Sequence, residues 1–293
     1  MRKQNYWGYI FTLPFVINVV VFLIFPVAFS AYISFTQYDL FNAPKWVGLT
    51  NWINIINKEE FRIAMRNVFA FALIFVPLQT FFAFLIAFLL NQAIRAKALF
   101  RLLYFMPVVT PWLAGGVVWA WMFNYQYGVV NWFLGLVNID PVRWLDSSSW
   151  IVVITSVALV SVWKGLGQSM IILLAGMQNV PKEVLEAGQI DGASGWKQLT
   201  HIVFPIVTPM VYLVVILSTI SAFQAFDVFL GLFGSIQVGI PKQSVVPNLI
   251  VYRDSFVLFK MGPASAMAWI LFFVILAVTL VQRSFEKRWV HYD

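Results

Sequence analysis

The chain has 293 residues, of which 61% are hydrophobic and only 11% charged, with a formal charge of +7. Soluble domains run at roughly 45–50% apolar and about 25% charged, so this composition belongs in a bilayer and leaves no room for a large water-soluble domain. Cysteine is absent and histidine occurs only at His201 and His291, which excludes disulfide frameworks, thiolate metal sites and a cysteine nucleophile, and leaves no histidine-rich metal set. The basic residues are spread through short loops rather than gathered in a patch, so membrane topology accounts for them and no nucleic-acid partner is expected.

Apolar segments long enough to cross a hydrocarbon core as helices, about 20 residues each, predict an all-α membrane protein with a six-span helical bundle. A closed β-barrel would show alternating segments of about 10 residues instead. The first segment covers about Tyr9–Phe35; it greatly exceeds a signal-peptide core of roughly 7–15 residues and reads as a retained span. The second covers about Asn67–Leu90 and holds Gln79 and Pro77. Arg95, Lys97 and Arg101 cluster before the third, about Tyr104–Asn124, which carries Pro107, Pro111, Gly115 and Gly116.

The fourth segment, about Trp150–Ala175, contains Lys164. A charge inside a span is costly and is a functional candidate by default; snorkelling or a partner-subunit carboxylate is the alternative. Ser161, Lys164 and Gln168 share one helical face, a stripe of donors suited to solute hydroxyls. Gly165 and Gly167 allow close helix packing. A polar interruption follows over 180–202, and then come a fifth span, about Val203–Phe226, and a sixth, about Met261–Val281. Gln224 and Asp227 join Gln79 as further pathway candidates, each of which could instead bond a neighbouring helix.

Six spans place both termini on one side. Arg2, Lys3, Arg95, Lys97, Arg101, Lys182, Lys197, Arg283, Lys287 and Arg288 fall there, and the positive-inside rule makes that side cytoplasmic. Lys45, Lys58, Arg62, Arg66, Arg143, Lys242, Arg253 and Lys260 stand on the other, so the bias is modest. Tyr6, Trp7, Trp46, Trp52, Trp132, Trp144, Trp150, Trp289 and Tyr292 lie near segment ends, where amphipathic rings anchor in the headgroup zone. Proline at 14, 26, 77, 107, 111, 205 and 209 predicts kinks, because neighbours and water can satisfy the freed backbone groups.

The interruption itself is built like a helix, a bend and a helix. Pro181 suits a first helical turn, Lys182–Ile190 are mostly good helix formers, and Asp191-Gly192 is a turn dipeptide. This stretch, Val180–Pro209, resembles the Glu-Ala-Ala loop of ATP-binding-cassette importer permeases, with Glu186, Ala187, Gly188, Asp191, Gly192, Ile202 and Pro205 at the family's places. Gly188 stands where that family usually has Ala. WVGLTNW at Trp46–Trp52, FRIAMRNVFAF at Phe61–Phe71, the run Phe100–Phe123 and the run Val162–Pro181 are similar to carbohydrate importer permeases of the maltose and glycerol-phosphate type. So are Phe226-Asp227, YRDSF and MGPASAMA near the end of the chain. The turn at Phe233–Pro241 departs from that family's Gly-Gly-Gly-Pro, which leaves the geometry of 228–241 open.

The resemblance implies one permease domain over 1–293 in a prokaryotic plasma (inner) membrane. It implies a second permease, giving a heterodimer, two ATPase subunits that bind ATP and Mg, and an extracytoplasmic solute-binding protein; no cofactor is expected in this chain and it is not an enzyme. The solute would be a sugar or oligosaccharide, with glycerol-phosphate or another anionic solute as the alternative. Glu186 would anchor to a basic residue of an ATPase groove, Ala187 and Gly188 would allow close approach, Gly192 would set the bend, and Pro205 would pass force into the next span. A secondary transporter, the less favoured alternative, would usually show internal repeats and intramembrane carboxylates; no clear repeat occurs and Asp227 is the only acidic residue near a span core. An intramembrane enzyme would need paired acids, a metal set or a nucleophile beside a base, and none is evident.

Overall fold

The computed structural model describes residues 4–92, 95–234 and 241–289. Arg2, Lys3, His291 and Tyr292 lie outside them, as do the side chains of Tyr6, Trp7, Lys287, Arg288 and Trp289. Of the turn at Phe233–Pro241, only Phe233, Gly234 and Pro241 are described.

The chain starts with helix α1 (Gln4–Val19), a π turn (Val20–Ile24) and helix α2 (Phe25–Ser34), followed by strands β1 (Thr36–Gln37) and β2 (Lys45–Trp46). Helices α3 (Thr50–Asn57), α4 (Glu59–Asn91), α5 (Lys97–Val109), α6 (Trp112–Met122), α7 (Val129–Leu136) and α8 (Trp150–Gln178) come next. The short helices α9 (Lys182–Ile190) and α10 (Gly195–Gln198) and a second π turn (Leu199–Val203) lead into α11 (Phe204–Phe223). The described chain closes with α12 (Asp227–Phe233), α13 (Pro247–Tyr252), a third π turn (Arg253–Val257) and α14 (Met261–Trp289).

Among the described residues, Gly8–Ser34, Glu59–Asn91, Trp150–Gln178, Gly195–Phe223 and Met261–Glu286 are long and apolar enough to cross a membrane. The third predicted segment differs from expectation. It is a pair, α5 and α6, bent by 100°, rather than one helix over Tyr104–Asn124. Thr110 precedes Pro111, and the proline ring drives the residue before it out of the helical region; Thr110 is extended, at φ −69° and ψ 141°. The fifth span also ends early: α11 stops at Phe223, so Gln224 and Phe226 lie in the link to α12.

Prolines are absorbed in two ways. Pro14, Pro77, Pro107 and Pro209 sit inside helices without interrupting them. Pro26 and Pro205 each follow a five-residue π turn, in which the Phe25 N–H reaches back to Val20 O and the Phe204 N–H to Leu199 O. A proline lacks the N–H and clashes with the carbonyl four residues back; the wider turn carries that carbonyl aside.

Two compact units can be distinguished, the chain up to Phe61 together with Ile250–Phe272, and Arg62–Leu249 together with the chain from Phe273. In the first, β1 and β2 pair antiparallel, with Thr36 opposite Trp46 and Gln37 opposite Lys45. Buried Asn51 donates from Nδ2 to Ser34 O at 2.9 Å and to Thr36 O at 2.8 Å, which pins α3 to the end of α2. Arg253 holds both oxygens of Glu60, at 2.5 and 3.0 Å, and reaches Asp254 Oδ1.

In the second unit the ends of α4, α8 and α11 enclose an apolar cluster that includes Ala87, Leu90, Leu173, Met177, Val180, Leu199, Val203 and Val207. Glycines set the closest approaches. A Cβ on Gly116 of α6 would stand 2.7 Å from Gly231 Cα of α12, and one on Gly167 of α8 would stand 2.8 Å from Phe105 Cα of α5. These glycines therefore serve packing. Asn67, fully buried, donates to Lys242 O and Val245 O at 3.1 and 2.9 Å and ties that loop to α4.

Candidate functional site: a polar cavity and an exposed handle

Within the second unit, α4, α8, the bend between α5 and α6, and the link between α11 and α12 surround an open cavity of about 380 Å³. Its lining brings together Ser161, Lys164, Gln168, Gln224 and Asp227, along with Phe71, Phe75 and Trp112. Gln79 lies outside it and lines a smaller cavity of about 190 Å³.

The three polar residues of α8 are not equally available. Ser161 is buried and donates to Val157 O one turn back, at 2.8 Å. Lys164 is 4% exposed, and its Nζ meets Pro107 O at 2.5 Å, Val108 O at 3.1 Å, Thr110 O, and Thr110 Oγ1 at 3.3 Å. It also sits 5.3 Å from the centre of the Trp112 ring. An ammonium has three hydrogens, and four acceptors surround this one, so none is left for a solute. The expected stripe of donors is thus reduced to Gln168, which is exposed.

Within this chain Lys164 is engaged by backbone carbonyls at the α5–α6 break. It caps the C-terminus of α5, where a helix leaves its last carbonyls without partners and favours a cation. The break at Thr110 and the buried charge on α8 therefore explain each other. Asp227 and Gln224 remain exposed at the cavity, and Gln79 donates from Nε2 to Ser169 Oγ at 2.9 Å.

The 180–202 segment forms α9, a bend, α10 and a π turn. The end of α9 is a Schellman stop: the Gly192 N–H bonds Gln189 O at 3.0 Å and the Ala193 N–H bonds Gly188 O at 2.9 Å. Gly192 supplies the left-handed conformation this motif needs, at φ 76°. Leu185 packs on the apolar cluster and its carbonyl accepts from Gln198 Nε2 at 3.1 Å, which locks α9 to α10. A Cβ on Gly188 would stand 2.5 Å from Ile202 Cδ1; glycine replaces the family's usual alanine where Ile202 presses in. Glu186, Ala187 and Asp191 point outward, and Ile190 and Trp196 are 87% and 72% exposed. Pro205 lies in the first turn of α11.

Residues 79–291 match the family described as the binding-protein-dependent transport system inner membrane component. The chain belongs to this family of importer permeases. The probable ABC transporter permease protein YesP of Bacillus subtilis is 35% identical over 100% of the chain and 94% of its own length. The trehalose/maltose transport system permease protein MalF of Thermococcus litoralis is 30% identical, covering 94% of this permease and 91% of itself. In fold, the permease is similar to a chain of a bacterial ABC transporter involved in import of the acidic polysaccharide alginate. That likeness has a TM-score of 0.83 at 20% identity and covers 98% and 96% of the two chains.

Sequence reasoning missed Phe71, Phe75, Trp112 and Ser221 as cavity residues of this permease. Phe71, Phe75 and Gln79 recur every four residues and so share one face of α4; that periodicity was the available signal. Nothing local in the sequence marks Trp112, which reaches the cavity only because the chain bends just before it.

Proposed function

We propose that this permease, paired with a second permease, forms the membrane pathway for a sugar or short oligosaccharide. Two ATPase subunits holding ATP and Mg would supply the energy, and an extracytoplasmic binding protein would deliver the solute. The observation that carries this reading is the handle. Glu186, Ile190 and Trp196 stand exposed on a braced loop joining α8 to α11, two of the helices whose side chains line the cavity. A push on the loop is delivered to two of the cavity's walls at once. Large apolar side chains beside a carboxylate suit a groove with an apolar floor and a basic rim, since interfaces place apolar anchors centrally and polar groups around them.

The orientation belongs to the same proposal. On a six-span count, Arg95, Lys97, Arg101, Lys182, Lys197 and Arg283 fall on the side of the handle, which favours a cytoplasmic handle and cytoplasmic termini in a prokaryotic plasma membrane. For the solute, Phe71, Phe75 and Trp112 offer apolar faces, and Gln168 and Gln224 offer amides that both donate and accept. This mixture suits a sugar ring better than a phosphate. Glycerol-phosphate is the solute named for a relative from Agrobacterium fabrum, 28% identical over 97% of this chain, but here Lys164 has no hydrogen free for an anion.

The test is Glu186→Lys in the assembled importer reconstituted in vesicles. The variant should assemble, with transport and solute-stimulated ATP hydrolysis both lost. Wild-type transport by the assembled variant would remove Glu186 from the coupling role.

A further inference from the structure

The cavity continues one helical turn further on three helices at once. Along α4 its lining passes from Phe71 and Phe75 to Gln79, along α8 from Ser161 and Lys164 to Ser169 and Ile172, and along α11 from Ser221 back to Ser218 and Val214. α8 runs toward the handle and α11 away from it, so all three shifts point to the handle's end. Four helical residues correspond to about 6 Å. The second chamber, about 190 Å³, shares Phe75, Gly165, Gln168 and Ser221 with the first.

Its polar groups are left open. Gln79 is 1% exposed, and while its Nε2 is bonded to Ser169, its Oε1 is buried with no donor among the described residues. Ser156, Ser161 and Thr219 each donate to the carbonyl four residues back. Ser169 and Ser218 make no such bond among the described residues. A buried acceptor without a donor is unfavourable, and a hydroxyl of water or of a polyol is a donor small enough to relieve it here.

We propose that Gln79, Gln168, Ser169 and Ser218 form a second sugar subsite on the exit side of the first cavity, in which a ring hydroxyl donates to Gln79 Oε1. The proposal rests on the sugar reading given above. Solute leaving the upper chamber passes Gly165, where a Cβ would stand 3.1 Å from Gln79 Nε2, so glycine keeps the passage clear. Occupancy here bridges the upper chamber and the handle's side, and it accelerates release without changing capture.

The chain has no cysteine, so Ser218→Cys introduces a single thiol that can be probed in the assembled importer with cysteine-free partners. A methanethiosulfonate-ammonium reagent should label it, and maltose or trehalose, as the probe sugar, should slow labelling. Gln79→Leu should lower the maximal transport rate of the probe sugar about fivefold, with KM unchanged, the fold-change of one lost hydrogen bond, ~1 kcal/mol. Gln79→Asn takes its place if the leucine variant does not assemble. A thiol that resists labelling overturns the proposal. So does a labelled thiol that neither sugar protects, with Gln79→Leu transporting at the wild-type rate; that result assigns the chamber to water alone. A wild type that responds to neither sugar counts against the proposed solute, and the labelling still decides whether the chamber is open and polar.

Discussion

Replacing Lys164 by methionine separates a brace from a solute ligand. In the wild type, Nζ serves Pro107 O, Val108 O and Thr110 O. Pro107 O keeps other donors after the change, the Thr110 N–H at 3.2 Å and Thr110 Oγ1 at 2.7 Å. Val108 O and Thr110 O have no other donor among the described residues. Two stranded carbonyls cost about 1–3 kcal/mol each, and relief of ammonium burial offsets only part of that loss, because the ammonium is already compensated by its acceptors. We expect a net destabilisation of about 1–3 kcal/mol. The assay is thermal unfolding of the purified assembly beside transport kinetics. Lys164→Met should melt lower and transport more slowly, with KM for solute unchanged. A variant that melts with the wild type while its KM rises about tenfold, ~1.4 kcal/mol of binding, would show that the ammonium contacts solute, and the brace would be wrong.

Three further outcomes follow from close contacts elsewhere. Gly116→Ala presses a methyl against the Gly231 backbone, which has no side chain to yield, and should destabilise by about 1–3 kcal/mol, read as reduced assembly on size-exclusion chromatography. Gly188→Ala meets only the movable end of Ile202, and the helix gains about 0.5–1 kcal/mol from losing glycine; transport should stay near wild type, whereas Gly188→Leu should abolish coupling. Asn51→Ala strips the side-chain donor from Ser34 O and Thr36 O and should cost about 2–4 kcal/mol, seen as a lower melting temperature with unchanged ATPase coupling in whatever protein assembles.

The helix, bend and helix over 182–198 were legible because their signals are local. Pro181, the small residues Ala187 and Gly188, and the turn at Asp191-Gly192 each act within a few residues of themselves, and the apolar runs announce helices by length alone. The broken span was not legible to the same degree. Pro107 and Pro111 signalled a kink, but a bend of 100° persists because Lys164, more than fifty residues away, satisfies the carbonyls at the break. That same engagement removed Lys164 and Ser161 from the donors counted along α8, which helical spacing could not reveal. Nothing in the local sequence singles out Ser169 or Ser218, each a small hydroxyl residue in an apolar helix. They matter only because α4, α8 and α11 converge with Gln79 between them.

The π turn at the foot of α11 makes that helix sensitive to chain length. Leu199–Val203 holds one residue more than a regular turn would need, and only Phe204 separates it from Pro205. Deleting a single residue there would let the backbone close as an ordinary helix and would rotate everything beyond it by about 100°. Val207, Val211 and Val214 would swing out of the apolar cluster, and Ser218 and Ser221 would turn away from the lumen. The register between the exposed loop and the cavity-lining face of α11 is therefore stored in the five residues of that turn.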